Sequence, residues 1–103
     1  MGVKFEEESE QRRGEFVDVR KPRRFRVLLH NDDYTTMEFV IDVLMRFFAK
    51  TEAEAEALML RVHTQGKAVA GVYSKDIAET KVKQVTQYAR AHEAPLRVTA
   101  EPE

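Results

Sequence analysis

The sequence predicts a two-layer α+β domain in the order β-α-α-β-α-β, a three-stranded sheet with three helices, preceded by a flexible charged extension. Three observations carry this reading. Apolar residues alternate over 24–29, as they do on a strand with one buried face. They recur at helical spacing over 37–49, 55–62 and 78–89, each stretch following a Ser or Thr able to cap a helix. The connections are short, so successive elements must lie beside one another in one sheet layer and one helix layer.

Residues 1–22 are roughly half charged, with few apolar residues and two glycines. They cannot bury enough surface to offset the entropy of ordering, which predicts a flexible extension ending near Pro22 and a folded domain over 23–103. Phe5, Phe16 and Val17 are too scattered to make a core. From Arg24 to Leu29, Phe25, Val27 and Leu29 alternate with Arg26 and Leu28, the pattern of a first strand. His30 to Glu38, HNDDYTTME, is a turn, and Thr35-x-x-Glu38 within it predicts a capping box with Thr35 as the cap.

Met37, Val40, Ile41, Val43, Leu44, Phe47 and Phe48 then form a wide apolar stripe, a helix over 37–49. Thr51-x-x-Glu54 is a second capping box, opening a helix with Ala55, Leu58, Met59 and Val62 on one face. Gly66 stands where a helix ends in the left-handed conformation. Lys67 to Tyr73 reads as a strand in which Gly71 permits the close approach of another element. Ser74 is placed to cap a third helix, buried along Ala78, Val82, Val85 and Ala89. Pro95 prevents its continuation, and Leu96 to Ala100 reads as the last strand.

At 103 residues the chain makes one domain, and its 43% hydrophobic content suffices for one core. No apolar run approaches the ~20 residues that span a bilayer, and charge follows the N-terminus too soon for a signal peptide. With no cysteine there is neither a disulfide framework nor a thiolate metal site. A soluble intracellular protein is the expectation. The net charge of −1 is interspersed, and Arg20, Lys21, Arg23, Arg24 and Arg26 read as the solvated approach to a strand, so nucleic acid is not an expected partner. No apolar stripe is left over for a dimer.

The chemistry concentrates at Asn31, Asp32, Asp33 and His63. Asn and Asp favour turns that lead into helices, so the Asn-Asp-Asp run is by itself structural. His63 follows Met59 by one helical turn, and on spacing alone it is a partly buried histidine satisfied by a backbone group. Together, acceptors beside an apolar helical face make a site for an ammonium group, which offers three donors. A rival from another class is a small metal-dependent hydrolase with Asp32, Asp33 and His63 as ligands. A third is a scaffold like the ribosomal stalk C-terminal domain, which has a similar element order but leaves Asn31 and His63 without a role.

HNDDYTTMEFVIDVL, LMLRVHTQGKAVAGVYSKDIAETKV and the closing APL resemble the ClpS family, from about Phe25 to Thr99. These are bacterial, cytoplasmic, non-enzymatic adaptors that deliver proteins with destabilising N-terminal residues (Leu, Phe, Tyr, Trp) to the ClpA unfoldase of the ClpAP protease, without a cofactor. The resemblance implies that Asn31, Asp33 and His63 hold the substrate's α-amino group, with Asp32 shaping the turn. It implies an apolar pocket of Thr35, Met37, Val40, Met59, Val62 and Leu96, in which Met37 gates against branching at the substrate's Cβ. Asp76, Glu79 and Lys81 fall on the surface that docks on the unfoldase. Two positions depart from the family pattern. Thr36 replaces a common proline, implying a looser turn, and His30 replaces an aliphatic residue and is expected at the pocket rim.

Overall fold

The computed structural model describes residues 22–103, so the extension expected over 1–22 lies, Pro22 aside, outside the described residues. Strand β1 (Arg24–His30) occupies the middle of the sheet, between β2 (Lys67–Ser74) and β3 (Arg97–Pro102), in the order β2-β1-β3. Both pairings are antiparallel. Three helices, α1 (Met37–Phe47), α2 (Glu52–Gln65) and α3 (Lys75–Ala91), complete the predicted β-α-α-β-α-β order. Val27 and Leu29 join the core with Val43 and Leu44 of α1, Ala55 and Val62 of α2, and Ala78, Val85 and Ala89 of α3. Fully burying one such Val or Leu contributes roughly 1.5–3 kcal/mol, so the alternation on β1 suffices to fix which face of the sheet the helices cover.

The β1–β2 register slips once. Val27 pairs with Gly71 and Leu28 with Val69, so Ala70 is the extra residue of a β-bulge. Gly71 was expected to admit another element. The neighbour is instead the strand's own Tyr73, and a Cβ at Gly71 would come within 2.7–2.8 Å of that ring's carbons. Gly71 and Tyr73 are two residues apart on one face of β2, and the missing side chain leaves room for the ring to lie across the glycine.

Helix starts show one agreement and two corrections. At α2 the capping box forms as predicted: Thr51 Oγ1 accepts from the N–H of Glu54 at 3.2 Å, and Glu54 accepts from the N–H of Thr51 at 2.9 Å. At α1 the cap is Thr36, not Thr35, with the N–H of Phe39 donating to Thr36 Oγ1 at 3.1 Å. The hydroxyl of Thr35 is already bonded to Asp32, so the next threonine takes the cap. At α3, Ser74 stands in the cap position as expected, closing β2 as well, but its side chain makes no cap bond. Thr36→Ala is therefore expected to cost about 1 kcal/mol of stability in urea denaturation, the ordinary loss for a helix cap.

Helix ends are equally explicit. Gly66 closes α2 at φ 91°, the left-handed conformation expected of it. Helix α1 stops at Phe47, two residues before the predicted end, and Ala49 turns away at φ 55°. Lys81 Nζ donates to the Phe47 carbonyl at 2.6 Å and lies over the Phe48 and Tyr73 rings, satisfying one of the orphan acceptors there. Further along, the Tyr88 hydroxyl donates to Asp42 at 2.6 Å and the Tyr88 ring stacks on Phe39. Helix α1 is thus clasped to α3 both at its middle, through Asp42, and at its last residue, Phe47.

Candidate functional site

The strand ladder does not end with β1. The N–H of Asn31 donates to the carbonyl of Gly66 at 2.9 Å, continuing the His30–Lys67 pairing by one rung. Gly66 is where α2 ends, three residues after His63, so this bond anchors the Asn-Asp-Asp turn beside the last turn of α2.

Asp32 clasps that turn shut. Its Oδ1 accepts from the N–H groups of Tyr34 at 2.8 Å and Thr35 at 2.7 Å, and its Oδ2 accepts from the Thr35 hydroxyl at 2.7 Å. Burial alone would raise the Asp32 carboxyl, but these bonds outweigh it and hold the group below its ordinary value. The folded state therefore prefers the carboxylate. The stabilisation is complete above the ordinary value of about 3.9 and is lost as pH falls through the lowered one. The Thr35 amide resonance is accordingly expected to hold its position as pH falls past about 3.9 and to move only below it.

Around the clasped turn lies a cavity of about 400 Å³. The turn supplies Asn31, Asp33 and Thr35, the start of α1 supplies Met37 and Val40, and α2 supplies Met59, Val62 and His63. Val40, Met59 and Val62 are buried, whereas Met37 is 43% exposed. Asn31, Asp33 and His63 are exposed, and among the described residues no internal hydrogen bond engages their side chains. The bland reading of His63, a part-buried ring bonded to backbone, therefore fails. The cavity thus sets hydrogen-bond acceptors with free capacity beside an apolar wall.

Some expected residues fall elsewhere. Leu96 is only 1% exposed and belongs to the core rather than to the cavity wall. Pro95 holds the chain out of α3, and Leu96 drops inward just before β3 begins at Arg97. His30 is not at the rim, because its Nε2 is hydrogen-bonded to Thr99 Oγ1 of β3 at 2.8 Å. Burial first, then the Arg97 and Lys67 cations, lower the His30 pKa against a smaller opposing pull from Glu101. Its neutral form favours folding, and that contribution is lost as pH falls through the lowered value. Asp76 and Glu79 are exposed on the first turns of α3, while the ammonium of Lys81 is tied to α1. Among the described residues no group of His, Asp or Glu is arranged to hold a metal ion, so Asp32, Asp33 and His63 are not the ligand set the hydrolase reading required. Asp32 is already committed to the turn.

The family model described as "ATP-dependent Clp protease adaptor protein ClpS" matches residues 20–99. The chain belongs to the ClpS family. Its ClpS relatives include the ATP-dependent Clp protease adapter protein of Deinococcus radiodurans, 60% identical over 89 residues that cover 86% of this chain and 79% of that one. That of Hydrogenovibrio crunogenus is 57% identical over 83 residues, covering 81% of this chain and 80% of the other. Among solved structures, ClpS2 of Agrobacterium tumefaciens bound to L-phenylalaninamide aligns with a TM-score of 0.78 at 42% identity, covering 81% of this chain and all of that one. Three helices over a three-stranded antiparallel sheet are thus the ClpS architecture, and the chain is an adaptor of the Clp protease type.

Within this ClpS chain the cavity also includes Tyr34 and Thr36, which sequence reasoning passed over. Thr36, noted in the sequence only as replacing a common proline, is the cap of α1. Tyr34 is 81% exposed. An aromatic residue set in a polar turn, outside any apolar period, was the signal available for it.

Proposed function

We propose that this ClpS adaptor grips the free α-amino group of proteins that begin with Leu, Phe, Tyr or Trp and delivers them to a ClpA-type unfoldase. One observation carries the reading: a single cavity combines Asn31, Asp33 and His63 with the apolar wall of Met37, Val40, Met59 and Val62. An N-terminal ammonium needs acceptors, which the Asn31 amide oxygen, the Asp33 carboxyl oxygens and an imidazole nitrogen of His63 can supply. The first side chain needs an apolar recess, and burying one of Leu or Phe size contributes roughly 1.5–3 kcal/mol. L-Phenylalaninamide, the ligand of the Agrobacterium neighbour, carries both features, a free α-amine and an apolar side chain. Met37, the exposed methionine of the wall, is the flexible gate at the mouth.

Delivery falls to other parts of the chain. Asp76 and Glu79 form the exposed docking surface on α3, and Lys81 acts mainly by holding α1 and α3 together beneath it. Residues 1–22 serve as a separate extension, and the adaptor works as a non-catalytic monomer in the bacterial cytoplasm. Calorimetry with a Leu-initiated peptide, free and N-acetylated, tests the central step. The free peptide is expected to bind and the acetylated one to give no heat. Equal affinity for the two would sink the ammonium site.

A further inference from the structure

We infer that a second groove, adjoining the first cavity at Tyr34, takes an apolar or aromatic side chain from the second or third residue of the bound chain. This inference rests on the reading of the first cavity as the seat of the N-terminal residue. The groove has a volume of about 620 Å³ and is lined by Tyr34, Arg90, Glu93, Ala94 and Pro95. Tyr34 borders both spaces, so the two adjoin at this residue. At 81% exposure, its ring leaves most of its surface open to a ligand.

The far wall is built before any ligand arrives. Glu93 adopts φ 59°, which turns the chain sharply after α3. The N–H of Ala94 donates to the carbonyl of Ala89 at 2.8 Å, and Arg90 Nη1 donates to the carbonyls of Ala94 at 2.9 Å and Leu96 at 3.4 Å. Arg90 thus ties down residues 94–96, and with them Pro95, which lines the groove together with Tyr34. On the other side the backbone of Tyr34 is fixed, because its N–H is bonded to Asp32. Apolar surface on Ala94, Pro95 and Tyr34 matches an apolar side chain, and a phenol ring adds the option of stacking.

Chain geometry supplies the occupant. An extended peptide advances about 3.3–3.6 Å per residue, so a chain whose first residue sits beside Tyr34 carries its second and third past the ring. No separate partner is needed to reach the groove. A substrate would then be read at two places, first by its amine and first side chain, then by a residue just behind.

The test compares leucinamide with the amides of Leu-Ala-Ala-Ala, Leu-Phe-Ala-Ala and Leu-Ala-Phe-Ala, titrated into the full chain. One of the two Phe peptides is expected to bind roughly three- to tenfold more tightly than the all-Ala peptide, the range of one aromatic contact. Pro95→Ser, outside the first cavity, should abolish that gain and leave leucinamide affinity unchanged. Tyr34→Phe should keep the gain and Tyr34→Ala should lose it. Equal affinity of the Ala and Phe peptides for the unaltered protein would overturn the groove, as would a gain that survives Pro95→Ser and Tyr34→Ala. In either case leucinamide binding would leave the first cavity's role standing. Failure of leucinamide and of every peptide to bind would overturn both.

Discussion

Replacing His63 by alanine is expected to weaken binding of a Leu-initiated peptide about ten- to a hundredfold, and Asn31→Ala by a similar factor, since losing a hydrogen bond to a charged group costs roughly 1.5–3 kcal/mol. Both side chains are exposed and engage no internal partner among the described residues, so the variants should keep the stability of the parent. Asp32→Ala is the contrasting case. It removes the three bonds that close the turn, and should lower stability and binding together. Fluorescence anisotropy with a labelled Leu peptide gives the affinities, and urea denaturation gives the stabilities. A His63→Ala protein that bound within twofold of the parent would remove the imidazole from the amine site.

The second large effect separates binding from delivery. A chain starting at Lys21 retains every residue lining the cavity and should bind Leu and Phe peptides with unchanged affinity. In a degradation assay with purified ClpAP and a fluorescent reporter bearing an N-terminal Leu, the same protein should fail to accelerate loss of signal. The expectation follows from the proposed division of labour, in which the half-charged segment 1–22 serves the partner rather than the peptide. Asp76→Ala with Glu79→Ala should also preserve peptide binding, and should weaken the complex with the unfoldase by removing exposed charge from α3. Full delivery by the truncated chain would assign the whole adaptor activity to residues 21–103.

The element order was legible because periodicity is physical. Val27 and Leu29 lie on one face of β1, and the apolar stripes of the helices lie on the side that packs against it. Caps were legible only where one candidate stood alone. Thr51 and Glu54 had no competitor, whereas Thr35 and Thr36 are adjacent, and the choice fell to a tertiary bond from Asp32 that no local pattern encodes. The composition of the cavity could be read from residue types and family resemblance, but its boundary could not. Whether Leu96 faces a cavity or the core depends on how Pro95 leads into β3, and whether His30 faces a rim or β3 depends on strand pairing. The braced loop after α3 was invisible for the same reason, since Arg90 makes its contacts through backbone carbonyls, which carry no sequence signature.

The single rung from Asn31 to Gly66 makes the two halves of the site unequal in how freely they can change over evolutionary time. The grip on the amine is referenced to the main chain, through a sheet rung, a left-handed glycine and a turn closed by Asp32. The wall is made of helix side chains, Met37, Val40, Met59 and Val62, whose exchange for other apolar residues leaves that main-chain frame untouched. On the proposed reading of the site, drift or design at those four positions would retune which first residue is welcomed while a free N-terminus stays the entry requirement. A new selectivity need not reinvent the recognition of a chain's beginning.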